Sequence, residues 1–331
     1  VSLLHNPTLK NLTVAVCGDK ENRHGIILAK NQKAKAYGIN TAEPVVYALR
    51  KCPKLVCVRS HHGFYEEICE KINKIYVQYT DLVEKASIDE SYLDVTNTIH
   101  LFGGDAKALA DSIRERIKEE IGITISVGVS FCKTIAKFGS DYKKPDATTE
   151  ITPENFKELL YPLPIGDLFM VGRKTAEKLR GIGIRKIGDL EEFDEKILYR
   201  LLGQNGRVLW QYANGYDYSP VLRFDYREAY KSIGNGATFK RDLMNKGDVR
   251  TCVFFLCDKV AARLRKHNYE CSALQVGIKD TNFQTIQRSS QLPSPTDLAY
   301  DLRNAALSLI EANIDIEKER NLAFLSFFVI L

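Results

Sequence analysis

Ser87-Ile88-Asp89-Glu90-Ser91-Tyr92-Leu93-Asp94-Val95-Thr96 is the stretch on which the fold and the chemistry of this chain turn. Tyr92, Asp94 and Thr96 alternate with Leu93 and Val95, the period of a half-buried strand. Neighbouring side chains on a regular strand point to opposite faces, so Asp89 and Glu90 converge only at a bend. The segment therefore reads as two short strands meeting at an acidic tip. Two carboxylates converging there are hard oxygen ligands of the kind Mg²⁺ takes, with its other positions left to water and substrate phosphates. Phosphoryl or nucleotidyl transfer is the chemistry such a tip serves. The plainer alternative is a solvated acidic turn, because Glu66-Glu67, Glu119-Glu120, Glu191-Glu192 and Asp194-Glu195 are adjacent acids as well. The surroundings of the hairpin weigh between the two.

At 331 residues the chain exceeds what one core usually serves, which predicts several domains. With 44% hydrophobic and 27% charged residues it has the composition of a globular protein; it carries no signal-peptide pattern and no apolar run long enough to span a bilayer. The net charge of +5 is too mild to mark a nucleic-acid binder, but its distribution is uneven. Lys133, Lys137, Lys143 and Lys144 cluster after an expected strand, and Arg173, Lys174, Lys178, Arg180, Arg185 and Lys186 crowd a second region. Such patches are the electrostatic footprint of a phosphate backbone, or else ordinary solvated faces. The eight cysteines (17, 52, 57, 69, 132, 252, 257 and 271) show neither CxxC pairing nor His partners at zinc spacing. They are expected to be reduced thiols of a cytoplasmic protein, with Cys252 and Cys257 in an apolar helix. His61-His62 reads as a surface pair rather than a metal site.

Short apolar runs at Leu12–Cys17, Ile26–Ala29 and Leu55–Val58 surround a helical patch at Asn31–Tyr37. A helix spaced on Phe64, Ile68, Ile72, Ile75 and Tyr79 leads to the acidic hairpin. Beyond it, Leu109, Ile113, Ile117 and Ile121 recur every four residues, which places one apolar stripe on a helix. Ile123–Val129 reads as a buried strand and Cys132–Tyr142 as a basic helix, so this block is expected to be a small sheet with helices packed on it. Pro153, Pro162 and Pro164 mark a boundary. The glycine-rich region from 165 to 215 reads as a helix-hairpin-helix, whose amides and basic side chains suit a phosphate backbone, or as a plain αα-hairpin. Asn214–Tyr226 reads as a linker, and the remainder follows the order β-α-β-β-α-β.

Together these segments resemble the Y-family DNA polymerases, in the bacterial DNA polymerase IV branch, over essentially the whole chain. Ser87–Thr96 is similar to the family's palm motif S-[LI]-D-E-x-Y-L-D-[VI]-T. Gly128-Val129-Ser130, Lys133, Ala136-Lys137, Ser140-Asp141 and Lys144-Pro145 resemble the second palm motif. The region around Met170-Val171-Gly172-Arg173-Lys174 is similar to the family thumb, and Lys231-Ser232-Ile233-Gly234 to the start of the little finger. The resemblance implies an α+β multidomain fold: fingers at 1–60, palm at 61–160, a helix-hairpin-helix thumb at 161–218, a linker at 219–230 and a βαββαβ little finger at 231–331. It implies an error-prone, template-directed DNA polymerase for translesion synthesis and repair, acting as a monomer in a bacterial cytoplasm on primer-template DNA and dNTP. Two Mg²⁺ ions would be held by the catalytic carboxylates Asp89 and Glu90. Lys144, with Gln32 and Lys35, would contact the nucleotide. Val171, Gly172, Arg173 and Lys174 in the thumb, and Ser232, Lys240 and Arg241 in the little finger, would contact the DNA backbone, which positions a duplex without reading bases. Many relatives also carry a sliding-clamp peptide at the extreme C-terminus, which does not occur in these residues.

The chain departs from the family pattern in places. An Asp-x-Asp-x-Phe-Phe-like strand precedes Val1 in relatives, so a truncated chain is expected, with little synthesis of its own. The fingers motif N-Y-x-A-R stands as Asn31-Gln32-Lys33-Ala34-Lys35, and Lys35 keeps the charge but not the bidentate fork of arginine. K-P-N-G stands as Lys144-Pro145-Asp146-Ala147, an acid expected to repel phosphate slightly, and Met170 occupies a position where glycine is usual. A catalytically inactive DNA-binding relative is the alternative, and a two-metal nuclease fits the thumb and little finger poorly.

Overall fold

The chain begins with one turn of helix, α1 (Ser2–His5). Its His5 ring lies 4.9 Å from both His61 and Phe64, and Ser2 shares a 2.9 Å hydroxyl hydrogen bond with Tyr65. The computed structural model describes residues 1–18, 25–313 and 322–331. They divide into two units: Val1–Asn11 with His61–Tyr226, and Leu12–Ser60 with Arg227–Leu331. The first eleven residues thus pack with the segment that follows residue 60, not with the segment they precede.

The small and β-branched residues of the first apolar runs form a three-stranded sheet. β1 (Val14–Cys17) lies between β2 (Ile27–Lys30), antiparallel to it, and β3 (Val56–Arg59), parallel to it. Between them run α2 (Gln32–Ala36) and α3 (Val45–Lys51), which bury Ala34, Val45 and Ala48 against Ala15, Cys17 and Ile27. Asn31 makes the first turn possible. Its Oδ1 accepts from the Ala34 N–H at 3.0 Å, an N-cap, and from Val14 N–H at 3.2 Å, while its Nδ2 donates to the Leu12 carbonyl.

In the first unit, α4 (His62–Tyr76) leads to β4 (Val83–Lys85) and β5 (Ser91–Leu93), an antiparallel hairpin. The four-residue stripe forms α5 (Ala106–Ile121) as expected, and Leu109, Ile113 and Ile117 are buried with Ile75 of α4. Gly122, at φ +79°, ends that helix in the left-handed conformation. β6 (Val127–Ser130) begins later than Ile123, because its ladder opens with Val127 N–H donating to the Ala147 carbonyl. α6 (Lys133–Tyr142) crosses to β7 (Thr148–Ile151), which pairs parallel to β6, the connection that parallel strands require. The expected single sheet is two separate two-stranded ladders among the described residues.

Gly128 sets the spacing of this layer: a Cβ there would lie 1.9 Å from the Ala136 carbonyl oxygen and 2.6 Å from Ser140 N. Beyond it α7 (Phe156–Leu160), α8 (Arg173–Gly181), α9 (Glu195–Leu202) and α10 (Gln204–Ala213) share a core of Ile165, Leu179, Ile184, Ile187, Leu190 and Leu198 that also takes in Ile135 and Ile151. Asp189 closes the turn before the last two helices by accepting from the Arg185 and Lys186 N–H groups, each at 2.8 Å. Residues 214–226 form no regular element, as expected of a linker, yet they are tied down: Phe224 N–H donates to the Asp81 carbonyl and Arg223 pairs with Asp81 at 2.5 Å.

The second unit ends in β8 (Ser232–Leu243), α11 (Lys246–Lys266), β9 (Cys271–Asp280), β10 (Thr285–Thr296), α12 (Ala299–Glu311) and β11 (Leu322–Ile330). This is the expected βαββαβ order, folded as an antiparallel sheet β10-β9-β11-β8. Val249, Val253, Leu256, Val260 and Leu264 of α11 are buried against it, and Cys257 lies in that core. β10 runs past the expected end at Arg288 and takes in Pro293 and Pro295, which an edge strand tolerates because one row of its amides has no ladder partner. Among the described residues no helix is long and apolar enough to cross a membrane.

Gly128→Ala is expected to destabilise the first unit by about 3 kcal/mol, the upper end for overpacking, because the obstacle is backbone; urea denaturation reads this, and an unchanged midpoint would refute the close packing. Backbone N–H groups of Lys186 and Arg185 hold the Asp189 carboxyl below its usual range. Its contribution is therefore present above the ordinary carboxylate pKa of about 3.9 and lost as pH falls through the lower folded value. Asp189→Asn should lower Tm by about 2–4 °C at pH 7. The difference from wild type should narrow in melts as pH falls below the ordinary carboxylate pKa of about 3.9.

Candidate active site

The hairpin tip is built by backbone before any side chain acts. Ala86 and Ser87 N–H both donate to the Glu90 carbonyl, at 3.0 and 3.1 Å, which closes the turn. β4 and β5 pair Lys85 with Ser91, Glu84 with Tyr92 and Val83 with Leu93. Asp89 and Glu90 are thereby placed at the tip, as the alternation predicts. Asp89 is exposed, and its Oδ1 accepts from the Ser87 hydroxyl at 2.7 Å. Glu90 is held: its Oε1 accepts from Lys137 Nζ at 2.6 Å.

Helix α6 supplies that lysine. Lys133 and Lys137 lie one turn apart and so share a face. Lys133 reaches Glu84 at 2.5 Å and lies over the Tyr92 ring, while Lys137 reaches Glu90. Lys137 also donates to Asp141 Oδ2 at 2.8 Å, and Asp141 Oδ1 pairs with Lys144 at 2.5 Å. Charge alternates along Glu90, Lys137, Asp141 and Lys144. Burial would lower the Lys137 pKa, but hydrogen bonds to Asp141 and Glu90 outweigh it and hold the ammonium above the usual lysine range. Burial, reinforced by the Glu90 charge, raises the Tyr92 phenol.

Sequence reasoning missed two members of this site. Glu84 was legible in principle, since hairpin pairing puts it opposite Tyr92. Asp217 had no local signal: its Oδ2 accepts from Thr134 N–H at 3.0 Å and from the Thr134 hydroxyl at 2.8 Å, capping α6 from 83 residues away. Leu222 N–H likewise donates to Glu84 at 2.8 Å.

The other expected positions are placed as follows. Gln32 and Lys35 are exposed on α2 of the second unit, three residues apart and on one face. Just before α8, Val171 N–H is committed to the Leu168 carbonyl at 3.0 Å, so its amide is not available to a phosphate. The amides that open α8 begin at Gly172, the N-cap, and continue through the exposed Arg173 and Lys174, where no preceding turn supplies a helical acceptor. Ser232 is exposed at the start of β8, paired through its backbone with Ile330. Arg241 forks onto Asp248 with bonds of 2.8 and 2.7 Å, so its guanidinium is already engaged. Lys240 lies on the same strand, but its side chain falls outside the described residues.

The impB/mucB/samB family profile matches residues 1–141, its C-terminal domain matches 230–326, and the IMS family HHH motif matches 153–184. A DNA polymerase IV of Acetivibrio thermocellus is 45% identical over 93% of this chain and 77% of its own length. The chain belongs to this family. It is a member of the Y-family, on the DNA polymerase IV branch. DNA polymerase IV 1 of Bacillus subtilis is 36% identical over 92% of the chain and 73% of its own length. The solved structure of a Y-family DNA polymerase chimera superposes with a TM-score of 0.88 at 23% identity, covering 99% of this chain and 94% of its own, which establishes the likeness of fold.

Y-family polymerases are generally metal-dependent, and the tip suits a hard dication in part. Asp89 offers an exposed carboxylate, and Glu90 a second one that a dication would have to win from Lys137. Among the described residues no third His, Cys, Asp or Glu joins them. Two residues before the α8 N-cap, Met170 is held at φ +68°, the left-handed region where a side chain is strained. Glycine would adopt this conformation without that strain. Met170→Gly should stabilise the first unit by about 1 kcal/mol and raise Tm by about 2–4 °C; a calorimetric melt showing a fall would mean that packing of the methionine outweighs the strain.

Proposed function

We propose that Asp89 and Glu90 are the catalytic carboxylates of this chain, a DNA-directed DNA polymerase of the error-prone, translesion type. The observation that carries the assignment is the acidic tip lying at the end of a continuous ion-pair chain to Lys144. The relatives bear the name DNA polymerase IV, which disfavours an inactive DNA-binding role. Within this reading residues 12–60 are the fingers, 61–160 the palm with residues 1–11 packed on it, 161–218 the thumb, 219–230 the linker and 231–331 the little finger. The protein works as a cytoplasmic monomer on primer-template DNA and dNTP.

Asp89 and Glu90 would hold Mg²⁺, two ions in the full complex. Bound metal supplies neutralisation of the triphosphate and a more acidic primer 3′-OH. The rest falls to the side chains. Lys137 holds the Glu90 carboxylate in place at the tip by a hydrogen bond to Oε1. Lys144 brings an exposed ammonium to the triphosphate, held in reach by Asp141. On α2 of the second unit, Gln32 and Lys35 offer an exposed amide and ammonium of the kind that suits a nucleotide phosphate. Gly172, Arg173 and Lys174 hold backbone phosphate at the start of α8, and Ser232 with Lys240 does so on the last sheet, while Arg241 is committed to Asp248. Contacts of that kind carry no base information and so accept any template.

Primer extension by the protein carrying this chain, with Mg²⁺ and dNTPs on a primed template, tests the assignment. Asp89→Ala/Glu90→Ala should reduce the extension rate on the order of a thousandfold while leaving primer-template affinity within about twofold. Extension that survives the double substitution would place the chemistry elsewhere.

A further inference from the structure

We infer that Asp146, clamped by Arg114 and Lys118, is a positioning residue for Lys144, a role that rests on the triphosphate contact proposed for that lysine. Asp146 stands two residues after Lys144 with φ +52°. A left-handed residue persists only where its surroundings over-determine it, and here they do. Arg114 Nη2 donates to the Asp146 carbonyl at 2.9 Å and to its Oδ1 at 3.0 Å, and Lys118 Nζ reaches Oδ2 at 3.2 Å. Arg114 does not swing: its side chain is only 12% exposed, and Nη1 also bonds Asp111 at 2.8 Å. The hydrogen bond from Arg114, with Lys118 beside it, keeps the Asp146 carboxyl below its usual range.

The loop between α6 and β7 is fixed on one side by Asp141 on Lys144 and on the other by α5 on Asp146. The acid that would oppose a triphosphate is already matched by two cations. In this reading the Asp146 carboxylate faces Arg114 and Lys118, cations it shares with Asp111 and Glu115, and the residue holds the loop. Arg114 and Lys118 lie one helical turn apart on α5, the spacing that lets both reach one carboxylate.

The test is equilibrium binding of the correct dNTP, with Mg²⁺, to the protein on a dideoxy-terminated primer-template, beside the affinity for the primer-template alone. Asp146→Ala should weaken dNTP binding about fivefold and leave primer-template affinity within about twofold. In a Lys144→Met background the same substitution should add less than about twofold, because its effect passes through the lysine. Asp146→Asn, which keeps an acceptor for Arg114 and tolerates the left-handed backbone, should recover most of the loss. Lys118→Ala, at an exposed position, should give a partial loss and serves if Asp146→Ala does not fold. An equal loss with and without Lys144, or a parallel loss of DNA affinity and Tm, would overturn the positioning role in favour of a purely structural one. If Lys144→Met itself leaves dNTP binding intact, the triphosphate contact fails and the positioning role falls with it. A wild-type protein that binds primer-template but no dNTP would overturn the polymerase assignment as well.

Discussion

At residue 128 strand β6 and helix α6 approach until only a hydrogen fits between them, and the polar architecture of the first unit follows from that contact. Gly139 on the helix faces Gly128 across the same gap, where a Cβ would stand 3.1 Å from the Gly128 Cα. A helix seated this closely has its rotation fixed by the glycine face, so the orientation of its other faces is fixed too. Lys133 and Lys137, one turn apart, reach Glu84 and Glu90. Any side chain at 128 would lift the helix and loosen both ion pairs together.

The hairpin is consequently asymmetric. Asp89 keeps an exposed carboxylate with a neutral hydroxyl partner, whereas Glu90 is engaged by an ammonium that burial alone would discourage. Alternating charge from Glu90 to Lys144 leaves no bare acidic or basic cluster, and so limits the self-repulsion of a site that must hold both signs. Asp217 and Leu222 tie the segment after the thumb region to α6 and β4, so this stretch belongs to the structural support of the site as well as to the connection.

Two departures from the family pattern have local physical explanations. Met170 occupies a left-handed position that glycine would fill without strain, and Asp146 occupies another that an acidic residue tolerates while two cations compensate its charge. Gln32 and Lys35 need no such accommodation, because both are exposed on α2 and the buried member of that turn is Ala34. Arg241 differs again, since its forked pairing with Asp248 at the start of α11 makes it part of the last domain's own framework.

Elements whose signal is periodic and local were legible in the chain itself. The four-residue stripe of α5, the alternation beyond Glu90, the βαββαβ order and the acidic tip all arise from side chains a few residues apart, and each stands where the spacing put it. Family membership was legible for the same reason, since its motifs are contiguous. Tertiary structure decided what depends on distant partners: the cap of Asp217 on α6, the clamp of Arg114 on Asp146, and the division of β4, β5, β6 and β7 into two ladders. Spacing along a chain determines which side chains share a face. Only folding determines which face meets which, and a carboxylate's role as ligand, cap or counter-ion is set by that meeting.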